Sequence, residues 1–210
     1  MSEIRKRAKE HFPSVLLTFL SIVQALALEL WWSSMMEADY LWGGGWAAWI
    51  GWAQYFTVLL GILEIWLVYT SMVMRFIWLP SFRDTLFPFL VGIVEFSMVA
   101  LIGPDSIPAW MCVLAVIFIM MVGDAHLTYV QARKEPENAK HFDRIKPATT
   151  DDFKLPAGMI AGIFAMALVL QLTGNQEALA FAGIAVCAGI LIHQIDESRR
   201  FWNHSMSETE

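Results

Sequence analysis

The sequence predicts an all-α integral membrane protein: a bundle of six transmembrane helices with both termini on the cytoplasmic side. Three observations lead there. The 210 residues are 57% hydrophobic and 16% charged, where ordinary soluble domains have roughly a quarter of their residues charged. The apolar residues fall in runs long enough to cross a hydrocarbon core, which takes about 20 helical residues. Every Lys and Arg lies in alternate connections between those runs. Six crossings use nearly the whole chain, so 1–210 reads as a single transmembrane domain with little left for a soluble catalytic one.

The first run, 13–35, follows Arg5, Lys6, Arg7 and Lys9. Ala25-Leu26-Ala27 has the small-residue spacing of a signal-peptidase site. The run nevertheless continues through Leu30, Trp31 and Trp32, longer than a signal segment, and reads as a retained helix. Gly43, Gly44 and Gly45 form a flexible turn into the second run, 46–73. The remaining runs are 86–103, 108–131, 156–174 and 178–195. Pro13, Pro88, Pro108 and Pro156 stand at or near the starts of four runs, where a fixed φ suits the first helical turn. The sizeable connection is 132–155, expected to contain a short interfacial helix or to dock a partner.

Orientation follows from charge, because short translocated loops avoid Lys and Arg. All 14 basic residues fall on one side: the N-terminal four, Arg75 and Arg83, six between Arg133 and Lys154, and Arg199 with Arg200. The opposite loops have Glu37, Asp39, Asp105 and Glu177. An odd number of crossings would mix the two sets. Trp31, Trp32, Trp42, Trp46, Trp49 and Trp110 are expected as outer interfacial anchors, and Trp78 and Trp202 as inner ones. The membrane implied is the plasma (inner) membrane.

Several functions are excluded or disfavoured. There is no basic patch for nucleic acid. Cys112 and Cys187 each stand alone in apolar sequence and read as packing residues. No intramembrane Lys is available for a retinal Schiff base, and there is no voltage-sensing Arg series. Without a phosphate-binding Gly-rich loop, nucleotide-driven transport would need a separate subunit, and without a nucleophile elbow nothing suggests hydrolysis, so an enzyme is the less expected reading. Met35-Met36 and Met120-Met121 read as apolar filler rather than soft-metal ligands.

Four acids stand inside the first four runs: Glu29, Glu64, Glu95 and Asp124. An ionised acid at a helix centre costs about 3 kcal/mol, so four unpaired ones would cost on the order of 10 kcal/mol. No Lys or Arg falls inside a predicted run. The acids are therefore expected to carry protons, to bond one another, to be hydrated in a cavity, or to hold a cation. Glu29 is placed toward the outer half, Glu95 near the middle, and Glu64 and Asp124 toward the inner half, a stepped carboxylate path. The competing reading makes them protonated hydrogen-bond donors between helices.

Smaller patterns surround the acids. Gly61 precedes Glu64, and Gly92 precedes Glu95, by one helical turn, so each helix is expected to approach a neighbour closely there. Glu64 with Tyr69 and Asp124 with Tyr129 share a spacing that puts acid and tyrosine on different faces. Gly158-x-x-x-Gly162 suits close helix contact, within the protomer or between copies. His126 and His193 lie near the inner side, accessory polar groups or axial ligands of a haem, with Asp196 a turn from His193.

The expectation is a proton or cation channel, or a proton-coupled transporter, with Glu64, Glu95 and Asp124 as central sites and Glu29 as the outer approach. A homo-oligomer would repeat each carboxyl as a ring. The alternatives are a membrane anchor or regulatory subunit working through 132–155 and the C-terminal tail, and a haem-bearing redox subunit. The expected partners are the lipid bilayer, protons or small cations, and further copies or another subunit of a membrane complex.

Overall fold

The computed structural model describes residues 3–144, 153–174 and 176–207, and every regular element among them is helical. The six long helices are α1 (Glu3–Glu37), α2 (Gly45–Arg75), α3 (Phe82–Ala100), α4 (Ile107–Ala132), α6 (Lys154–Thr173) and α7 (Glu177–Ser207), with a six-residue α5 (Ala139–Arg144) before α6. Each encloses one of the six predicted runs or nearly so. Part of the 132–155 connection, including Lys146, lies outside the described residues.

Boundaries differ from the apolar runs where polar groups start or extend a helix. α1 begins ten residues before Pro13, so that proline lies inside it and deprives it of one backbone hydrogen bond. α3 begins at Phe82, because Ser81 and Asp84 form a capping box: the Ser81 N–H and hydroxyl both donate to Asp84 Oδ2, at 2.7 and 2.9 Å. Pro88 is consequently an interior residue too. Pro108 and Pro156 do stand in first turns. At the end of α6, Gly174 takes the left-handed conformation (φ 73°, ψ 41°) that caps a helix most cheaply without a Cβ.

Neighbours follow a ring. α2 packs along α7 and α1, α1 along α3, α3 against α4, and α4 along α6, with a shorter contact between α6 and α7. The core between them is aliphatic and aromatic, including Leu20, Ile50, Val91, Met111, Leu114 and Ile184. Gly92 allows α1 and α3 to meet, since a Cβ there would stand 2.7 Å from Val23 Cγ1. Gly61 is different: nothing lies within 4 Å of where its Cβ would be. The Gly158 and Gly162 face is exposed, and nothing among the described residues lies within 4 Å of where a Cβ would stand.

The connections rich in Lys and Arg gather at one end of the bundle. Lys9 of α1 reaches Glu135 and, at 3.5 Å, Glu137. The hydrogen bond to Glu135 chiefly holds the Lys9 ammonium above its ordinary range. Phe142 of α5 stacks on Phe76 at 5.2 Å between ring centres, and Phe76 meets Tyr129 edge-on. At the other end Trp31 donates to the Tyr55 carbonyl, Ser34 bonds the Tyr55 hydroxyl, and Trp46 contacts Phe181. Tyr40, in the 3-10 turn Asp39–Trp42, is pushed up to about 12 by burial.

Two of the tryptophans expected at interfaces are core residues instead. Trp110 is fully enclosed and Trp78 is buried, whereas Trp32, Trp42, Trp46 and Trp49 are exposed. Hydropathy marks both kinds alike. Burial distinguishes them, and only a folded bundle supplies it.

Asn138 is the polar clamp of the basic end. It is 1% exposed. Its Oδ1 accepts from the Ile77 N–H at 3.0 Å, and its Nδ2 donates to the carbonyls of Ile77 and Ala132 at 2.5 and 2.7 Å. Alanine there takes the Asn138 partner from the Ile77 N–H and carbonyl, while the Ala132 carbonyl keeps the Glu135 N–H at 3.1 Å, and should destabilise the protein by about 1–3 kcal/mol. Aspartate, which cannot donate to the carbonyls, should be no better. Thermal unfolding of the detergent-purified variants measures this, and Asn138→Ala melting with the wild type would show the clamp to be idle.

Candidate functional site

The four intramembrane acids of the sequence separate into three environments. Glu64 and Glu95 line one cavity of about 190 Å3 between α2, α3, α4 and α7. Asp124 sits apart with Tyr69 and Arg83. Glu29 is exposed on α1 and does not line the cavity.

The cavity wall is mostly apolar, with Val58, Ile62, Leu114, Phe118 and Met121 among its side chains. Gly61 also lines it, so the open space in front of that glycine is cavity volume rather than a helix contact. Glu95 is 2% exposed and Glu64 9%. Gln24 Nε2 donates to Glu95 Oε2 at 3.0 Å, and Ser198 Oγ donates to Glu64 Oε1 at 3.1 Å. The other oxygen of each carboxyl, Glu95 Oε1 and Glu64 Oε2, is buried and reached by no donor among the described residues. Leaving a buried acceptor unmet costs about 1–3 kcal/mol, an arrangement that structural hydrogen bonding alone does not call for.

A second cavity, of about 280 Å3, lies toward the basic end and is lined by Val68, Ser71, Met72, Phe76, Tyr129, Glu197 and Ser198. Val68 borders both cavities. Ser198 belongs to the second and Glu64 to the first, so their hydrogen bond forms part of the partition. Toward the tryptophan-rich end the core is tight at two places. Gln54 Oε1 accepts from the Gly103 N–H at 3.0 Å, and a Cβ at Gly183 would meet Met111 and Met166 at 3.0 Å.

Asp124 has the cation that the apolar runs did not offer it. Tyr69 donates to its Oδ2 at 2.7 Å, and Arg83 Nε lies 3.7 Å from its Oδ1. Arg83 also pairs with Asp84 at 2.9 Å. The expectation that no basic group serves the intramembrane acids is thus corrected: the capping box extends α3 by a turn, and Arg83 comes with it. Tyr69 bonds an acid on another helix, not Glu64 on its own.

The histidines take other places. His126 meets the Phe153 ring edge-on at 4.8 Å between centres, and His193 is exposed. Asp196 pairs with Arg199 and Arg200 rather than with His193. Among the described residues, no three His, Cys, Asp or Glu side chains are grouped to hold a metal ion. Cys187 is buried and Cys112 half-buried, both as free thiols.

Sequence reasoning missed Gln24 and Ser198, and the pairing of Tyr69 and Arg83 with Asp124. Gln24 and Gln54 were detectable as amides inside apolar runs, since each requires a partner there. Ser198 lies beyond the last apolar run, and only the continuation of α7 to Ser207 brings it to Glu64.

Fold and site together define a class. Five helices are long and apolar enough to cross a membrane, and the sixth, α3, has comparable length but includes Arg83, Asp84 and Glu95. The chain is accordingly a multi-pass α-helical membrane protein by length and composition, with buried carboxyls in its core. No protein-family model, curated protein or solved structure matches it.

Proposed function

We propose that the chain is a six-span transporter of protons or small cations in the plasma (inner) membrane, with both termini and the basic end cytoplasmic. The observation that carries this reading is the pair of buried carboxyls, Glu64 and Glu95, on the wall of one cavity, each with an oxygen lacking a donor among the described residues. Intramembrane acids are costly and by default functional. A carboxyl in such surroundings exchanges a proton or holds a cation. The Glu64–Ser198 bond supplies contact with the second cavity on the cytoplasmic side, and the packed tryptophan-rich end supplies a barrier on the other. α3, about 28 Å long at 1.5 Å per residue, is sufficient for a sixth crossing.

Alternation of this arrangement, rather than an open pore, is the favoured mode, because a carboxyl cavity with tight packing on one side and a second cavity on the other suits alternating access. The test is purified protein in liposomes holding a pH-sensitive dye, with a proton gradient imposed. Acidification should outpace that of protein-free liposomes. Equal rates, with and without added sodium or potassium gradients, would end this reading.

A further inference from the structure

We propose that the cavity between α2, α3, α4 and α7 takes a small hydrophobic ammonium ion, one aromatic ring bearing a short alkylammonium, in exchange for a carboxyl proton. This rests on reading the cavity as a transport site and specifies what it transports. Size, lining and acceptors each bear on the choice.

The volume is about 190 Å3, whereas an apolar protein cavity of about 150 Å3 takes one benzene ring. A ring with one or two further heavy atoms therefore fills it, and a larger polycyclic cation does not. Val58, Ile62, Leu114 and Met121 offer dispersion contacts, and Phe118 offers a ring face or edge. Such a wall solvates hydrocarbon and does nothing for a bare metal ion.

The acceptors agree. Of the four carboxyl oxygens, Glu95 Oε2 is held by Gln24 and Glu64 Oε1 by Ser198, leaving Glu95 Oε1 and Glu64 Oε2 without a donor among the described residues. Two oxygens are far fewer than the six to eight that a hard cation such as calcium collects, and potassium filters likewise use rings of carbonyls. An ammonium is satisfied by a few hydrogen bonds, and the apolar body it brings is matched by the wall.

The exchange balances. An incoming R–NH3+ meets one protonated carboxyl; that group's O–H bond breaks, the electron pair stays on the oxygen, and the carboxylate pairs with the ammonium. The released proton leaves past the Glu64–Ser198 bond into the second cavity, where Glu197 stands. The second carboxyl keeps its proton. One positive charge enters as one departs, so the cavity bears no net charge in either state.

Calorimetry on the detergent-solubilised full chain tests this, with benzylammonium chloride, its neutral isostere benzyl alcohol, and sodium and potassium chloride as probes. Benzylammonium should bind at least about tenfold more tightly than benzyl alcohol, equivalent to about 1.4 kcal/mol, and its heat should vary with buffer ionisation enthalpy, showing proton release. Glu64→Gln with Glu95→Gln should abolish that preference. Gly61→Leu, which fills the cavity and leaves both acids in place, should weaken benzylammonium about tenfold as well. Equal binding of the alcohol, or displacement of benzylammonium by equimolar sodium or potassium, would overturn the proposal. Carboxyl-dependent proton flux in liposomes without any benzylammonium binding would overturn it while leaving the transport reading intact. Benzylammonium binding with proton release but no flux would uphold the site and remove the transport reading.

Discussion

Replacing Glu95 or Glu64 by glutamine should lower proton flux in liposomes by about tenfold or more while leaving the fold nearly unchanged. The reason is the geometry of the bonds they keep. Gln24 donates to Glu95, and Ser198 donates to Glu64. A glutamine in either place still presents a carbonyl oxygen to that donor, so its loss is confined to the exchangeable proton and the charge. The two variants should differ in sidedness. Glu64 forms part of the partition from the second cavity, so Glu64→Gln should slow proton entry from the basic end most, and Glu95→Gln should slow both directions alike. Glu29→Gln is the control: exposed and outside the cavity, it should stay within twofold of wild type. Wild-type flux in the Glu64→Gln, Glu95→Gln double variant would remove the carboxyls from the mechanism.

The second large effect is expected at Arg83. Its guanidinium stands between Asp84 and Asp124, both about 5% exposed, while Arg83 itself is 30% exposed. Removing one partner of a buried ion pair costs about 3–5 kcal/mol. Partial solvation of Arg83 reduces this, so Arg83→Leu should destabilise by about 2–4 kcal/mol. Tyr69→Phe, which deletes one hydrogen bond to Asp124, should cost less, about 1–2 kcal/mol. The double variant Arg83→Leu, Asp124→Asn should recover at least about 1 kcal/mol, because only Asp84, which keeps its bonds from Ser81, then loses its guanidinium. Unfolding by denaturant in mixed micelles reads these variants together with Asp124→Asn alone and the wild type. Strict additivity of the two single changes would mean that Arg83 and Asp124 do not act on one another.

The same residues show where sequence reasoning stops. Apolar run length located all six long helices, because a helix that satisfies its own backbone is the economical way to cross lipid. It placed the start of α3 late, since a capping box made of Ser81 and Asp84 is invisible to hydropathy, and so it missed Arg83 as a partner for Asp124. The acids themselves were legible as polar exceptions in apolar sequence. Their grouping was not: Glu64 and Glu95 share a cavity, and Glu29 does not, because of which face each helix turns inward. Gly61 and Gly92 illustrate the point, having one motif and opposite surroundings, a cavity for the first and Val23 for the second. Periodicity fixes what lies on one face of a helix. Which neighbour that face meets is decided by packing.

The ion pair at the start of α3 also bears on how the chain is made. With Arg83, Asp84 and Glu95 in 19 residues, α3 is the poorest of the six helices as an independent guest of the bilayer. The groups that complete its polar ends come from both directions along the chain: Gln24 from α1 is already synthesised when Glu95 emerges, but Asp124 follows only with α4. The polar start of α3 is therefore completed only by a residue that follows it along the chain, and the third helix depends for it on the fourth.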